Sequence, residues 1–161
     1  MSPKLYLTLD TSKNRNNSHD YTLYFDEEID KKYNKICLKS LYIEHDNDVN
    51  KLFTFVLKKG DLLRTVCYPL YIHCSMLAKD DNMVNRASAA TAAAVTTDVI
   101  AVLYSANLGT KEAKSMFVKF NNSSGKLITH SNRIRLHLTN FDGVPISNYG
   151  KYYLIYELEF F

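Results

Sequence analysis

Residues 138–161, LTNFDGVPISNYGKYYLIYELEFF, decide the fold. The stretch breaks at Asp142-Gly143 into two alternating pieces. On the upstream side, RIRLHLT places Ile134, Leu136 and Leu138 on one face and Arg133, Arg135 and His137 on the other. On the downstream side, KYYLIYELEFF places Leu154, Tyr156, Leu158 and Phe160 on one face and Tyr153, Ile155, Glu157 and Glu159 on the other. A period of two is the mark of a strand buried on one side. Asp142-Gly143 is predicted to supply the positive-φ positions of a tight turn, so the Asn140–Asp142 cluster reads as turn chemistry and not as a site. Pro145 has no N–H to donate, which makes residues 144–146 a short edge piece. Phe160 is predicted to point inward and Phe161 to sit near the rim.

The same rhythm continues outward from this stretch. KLYLTLD alternates with Leu5, Leu7 and Leu9 on one face, and DYTLYF with Tyr21, Leu23 and Phe25. ICLKSLYIEHD is a long strand whose alternation slips near Ser40, where a bulge is predicted. A strand is expected over residues 52–57, then a turn at Gly60, then two extended pieces on either side of Pro69. Further strands are expected over residues 97–105 and in MFVKF, with a turn in NNSSGK. DEEIDKKYNK reads as a solvated charged connection. ASAATAAAV, residues 87–95, is the one run of strong helix formers, and it reads equally as a short helix or a low-complexity loop. Eight to ten short strands with turn signals between them make an all-β chain, an antiparallel sandwich or barrel. With no β–α alternation, a doubly wound nucleotide-binding sheet is not expected.

Composition narrows the function. The 161 residues suit one domain, residues 1–161, with one core. A net charge of +3 is too small to suggest a nucleic-acid-binding stripe. Three cysteines, Cys37, Cys67 and Cys74, have no C-x-x-C spacing, so neither a disulfide framework nor a zinc motif is expected. No apolar run approaches the ~20 residues needed to span a bilayer, and no signal-peptide pattern opens the chain. Asn16, Asn121 and Asn122 each begin an N-x-S/T triplet, read as a product of an Asn-rich composition.

The search for chemistry returns little. DNDVNK offers Asp46, Asp48 and Asn50 at calcium-loop spacing, but Lys51 replaces the required glycine and Leu57 the twelfth-position glutamate, so it reads as a solvated turn. In YIHCSM, neighbouring His73 and Cys74 point to opposite faces of a strand; Cys74 is expected in the core and His73 outside it. His73, His130 and His137 lack the close spacing of a cupin-type metal site. The Arg133–Arg135–His137 stripe reads as a solvated outer face or as an anion-binding or interface stripe. No catalytic residue, cofactor or metal site is predicted.

The order of segments supplies the rest. A strand ending LYF is followed by a charged connection and by KICLKSLYIEHD, which flows into the Asn-bearing turn NDVNKL. After these come YPLYIHCSML, VIAVLYS, and the tail NRIRLHLTNFDGVPISNYGKYYLIYELEF. This order resembles the penton or minor capsid proteins of virophages and polinton-like viruses, although the Ala-rich insert falls outside that pattern. The resemblance implies a single jelly roll, and a homopentamer at the fivefold vertices of an icosahedral double-stranded DNA virus capsid, beside a major capsid protein. It also implies residence in the virion after assembly inside a host cell, and no catalytic residues. Tyrosines suit ring contacts because they bury area and keep a polar handle. Tyr6, Tyr24, Tyr42 and Tyr153, with Arg133 and Arg135, are the predicted subunit contacts. The alternative is a receptor- or carbohydrate-binding β-sandwich such as a spike head, with the Tyr149–Tyr153 region as its only candidate surface.

Overall fold

The computed structural model describes residues 3–13, 18–78, 98–104, 112–121, 124–140, 143–146 and 150–161. The alanine-rich run lies outside these residues, as does Asp142. Among the described residues eleven strands follow in order: β1 (Leu5–Asp10), β2 (Asp20–Tyr24), β3 (Lys35–His45), β4 (Thr54–Lys59), β5 (Leu62–Cys67), β6 (Leu70–Cys74), β7 (Val99–Leu103), β8 (Ser115–Lys119), β9 (Lys126–Leu127), β10 (Arg133–Thr139) and β11 (Tyr152–Phe160).

The first sheet runs β1-β11-β3-β8, with short β9 also on β3, and the second runs β2-β10-β6-β7. Every ladder in both sheets is antiparallel. With the β4–β5 hairpin and β9 set aside, eight strands remain, and the early ones pair with the late ones in mirror order: β1 with β11, β2 with β10, β3 with β8, β6 with β7. That is a long hairpin rolled up on itself, the jelly roll. The two closing strands are central because the tail pairs on both sides. β11 lies between β1 and β3, and β10 between β2 and β6.

The alternation seen in the sequence builds the core. Leu154, Tyr156, Leu158 and Phe160 are fully buried, as are Ile134, Leu136 and Leu138 from the facing sheet. The predicted bulge is present on β3: Glu157 pairs with Ser40 but Leu158 with Leu38, so Lys39 is the extra residue. Its insertion switches the inward parity from Ile36 and Leu38 to Leu41 and Ile43, all buried. β1 meets its expectation only in part. Leu9 is buried, but Leu5, at the start of this edge strand, is exposed.

Three local readings need correction. The strand expected from residue 52 begins at Thr54, because a 3-10 turn (Val49–Leu52) precedes it. DNDVNK is therefore more than a solvated turn. Asp48 Oδ1 accepts from the Asn50 N–H and side-chain amide and from the Ala113 N–H, which seats Val49, Leu52 and Phe53 in the core. The charged connection before β3 likewise buries Ile29 and Tyr33. Around the opening turn, the Gly143 N–H donates to the Asn140 carbonyl at 3.0 Å. Gly143 has φ 80°, and an isolated bridge joins Thr139 to Pro145. The glycine thus carries the left-handed position, and Pro145 sits in a short edge pairing, as its missing N–H requires.

Candidate functional site on the outer faces of the sheets

The six predicted contact residues all point away from the core, and the roll divides them. Tyr6, Tyr42 and Tyr153 stand on the outer face of the first sheet; Tyr24, Arg133 and Arg135 stand on the outer face of the second. The two groups occupy opposite sides of the sandwich.

On the first sheet, Tyr6 is well exposed, while Tyr42 and Tyr153 are half-buried against each other with ring centroids 6.1 Å apart. Tyr153 hydrogen-bonds Glu44, and this contact with a carboxylate pushes its phenol up to about 12. Farther along the face, Glu159 is buried between Lys4 at 3.1 Å and Lys39 at 3.4 Å. Burial alone would raise its carboxyl, but the two lysine hydrogen bonds outweigh that and hold it below the ordinary value. Lys39 stands two residues after Cys37, the ladder partner of Glu159, and so on the same outer face. Beside it the Ser40 hydroxyl donates to Glu157 at 3.0 Å.

On the second sheet, Tyr24 and Arg133 are directly paired across β2 and β10, and both are exposed. Arg135 is not an open cation. Its guanidinium makes a two-pronged contact with Asp20, at 2.8 and 2.7 Å, which depresses the Asp20 carboxyl.

The third member of the stripe, His137, reveals what spacing along the chain concealed. His137 lies opposite His73 in the β10–β6 ladder, and the two rings stack with centroids 4.4 Å apart and planes 11° apart. The expectation that the histidines do not converge is therefore corrected for this pair, since cross-strand register brings together residues far apart in sequence. His130 stays apart, bonded to the Tyr33 carbonyl at 2.7 Å. His73 is on the outer side of its strand as expected, yet it is buried. Its Nδ1 lies 2.6 Å from Asp98 Oδ1 and its Nε2 2.8 Å from Thr139 Oγ1. Burial and the neighbouring His73 and Arg135 lower the affinity of His137 for a proton. Cys74, facing the core, is inert, its thiol pushed up to about 12 by burial.

No family model matches the chain, and no curated protein matches it. Among solved structures, the crystal structure of the selenomethionine-labelled mavirus penton protein is similar, with a TM-score of 0.58 at 9% sequence identity. The likeness covers 99% of this chain and 99% of that one. The chain is thus built, over nearly its whole length, on the fold of the mavirus penton protein.

Proposed function

We propose that the chain is a penton protein, the vertex subunit of an icosahedral double-stranded DNA virus capsid, acting as one jelly-roll domain that assembles into a homopentamer beside the major capsid protein. The observation that carries this reading is the two-way coverage: the likeness to a penton protein leaves almost nothing over in either chain. A vertex subunit has to present two different patches to two neighbours, because a cyclic ring closes through heterologous contacts. The division of the tyrosines supports this. Tyr6, Tyr42 and Tyr153 on one side and Tyr24, Arg133 and Arg135 on the other supply two unlike surfaces rich in the residue types that favour interfaces. In this reading the role is structural, without catalysis or cofactor, and the protein resides in the virion.

Co-expression with a double-jelly-roll major capsid protein tests the assignment. Closed particles with this chain located at the fivefold vertices by electron microscopy are expected. Particles that form equally well and close their vertices without the chain would contradict it, as would glycan binding by a monomer that never enters particles.

A further inference from the structure

We propose that His73, Asp98 and His137 form a binding site for a divalent transition-metal ion of the zinc type on the outer face of the second sheet. The inference is independent of the capsid role. Two imidazoles and a carboxylate are a zinc-type donor set, and three protein ligands leave one coordination position for water. One donor atom from each residue lies within 4.8 Å of the others. Donors sharing one zinc ion sit roughly 3–3.5 Å apart, given bonds of about 2.0–2.2 Å. The 2.6 Å contact between His73 Nδ1 and Asp98 Oδ1 must therefore open by roughly 0.4–0.9 Å to admit the ion. The stacked rings must also turn so that their lone pairs converge, and the terminal torsion of histidine is broad enough to allow it.

Hydrogen bonding around His73 fixes which nitrogen is available. The Thr139 hydroxyl donates to the Asn140 carbonyl at 2.9 Å, so its oxygen accepts from the His73 Nε2–H. That is the outer-shell support typical of a metal-bound histidine, and it leaves Nδ1 facing the cluster. A contact of 2.6 Å between Nδ1 and a carboxylate oxygen needs a proton or a cation to bridge it. His137 Nδ1 is buried without a hydrogen-bond partner among the described residues, and a metal ion would satisfy it. The frame is firm: His73 and His137 are ladder partners, and the Asp98 carbonyl accepts the Cys74 N–H at 2.8 Å. The Asp98 side chain is 38% exposed, giving an ion a path in, while the Arg135 charge nearby is already matched by Asp20.

The full chain, stripped with a chelator, is titrated with Zn²⁺ and separately with Co²⁺. One equivalent is expected to bind, with visible Co²⁺ absorption bands and a rise in Tm of roughly 5–10 °C at free metal near 100 times Kd. His137→Gln and Asp98→Asn should each weaken binding by at least about 10–100-fold, the loss seen when even the supporting groups of a metal ligand are removed. Their metal-free melting curves show whether each still folds, and Asp98→Asn, at the more exposed position, reads out alone if His137→Gln does not. Cys67→Ser, which removes the exposed thiol, should leave the rise intact. No metal-dependent rise, or a rise that survives both His137→Gln and Asp98→Asn, overturns the proposal.

Discussion

The ring of Phe161 closes on Gly125 so tightly that a Cβ built on that glycine would lie 2.5 Å from the ring and 3.2 Å from the Ile36 carbonyl oxygen. Gly125 also has φ +62°, in the left-handed region. Gly125→Ala should therefore cost about 1–3 kcal/mol for overpacking and about 1 kcal/mol more for the backbone. Urea denaturation measures the loss. In a Phe161→Ala background the packing part should shrink, because much of the crowding has gone. An unchanged cost in that background would place the strain elsewhere.

Phe160, one residue earlier, is fully buried between Leu5 on β1 and Ile36 on β3. Truncation to alanine removes a whole ring from a central strand. Phe160→Ala should cost ~3–5 kcal/mol in a thermal or urea melt. Untouched stability would mean that β11 does not face the core as described.

Glu159 gives the fold an acid limit. Its folded-state pKa lies below the ordinary value of 4.5. Its contribution is therefore complete above the unfolded pKa and disappears as pH falls through the lower folded value. Between neutral pH and about pH 5 the contribution should be flat, and below about pH 4.5 it should decline. Glu159→Gln should lower Tm at neutral pH and remove part of the decline. Parallel Tm–pH curves for the two proteins would show that the lysine pair is not felt.

Among the described residues the β4–β5 hairpin pairs only with itself, and it carries exposed Leu62 and Leu63 near its turn. Since it adds no strand to either sheet, replacing residues 55–66 with a short Gly/Ser linker should leave the sandwich folded, with Tm shifted by only a few degrees. An isolated two-stranded hairpin is marginal at best, so it has little stability to lend. Loss of cooperative unfolding in the excised chain would show that the hairpin braces the roll.

Strands were legible wherever one face meets the core and the other meets solvent, as in β10 and β11. The jelly-roll order was reached through resemblance, because alternation reports burial and not which strand lies beside which. The bulge on β3 was legible because a parity slip at Ser40 is the direct trace of an extra residue. Val49, Leu52 and Phe53 were misplaced because a 3-10 turn capped by Asp48 buries them without a strand period. The histidine cluster was invisible for a different reason. His73 and His137 meet only through the β6–β10 register, and Asp98 joins them from the approach to β7. No spacing in the sequence encodes that convergence. The outward placement of Tyr6, Tyr24 and Tyr153 followed directly from alternation, whereas Tyr42 lies beyond the slip at Ser40 and needed the register. Their division between two opposite sides required the topology.

Native mass spectrometry tests the central claim most directly. The purified full chain, alone or with the major capsid protein, should give a species of five copies of the 18.5 kDa subunit. Charge-bearing substitutions on the first-sheet side (Tyr6→Glu with Tyr153→Glu) should return it to monomer, with the strand content unchanged by circular dichroism. A chain that stays monomeric at every concentration and with the major capsid protein present, or that forms a trimer, would contradict the account.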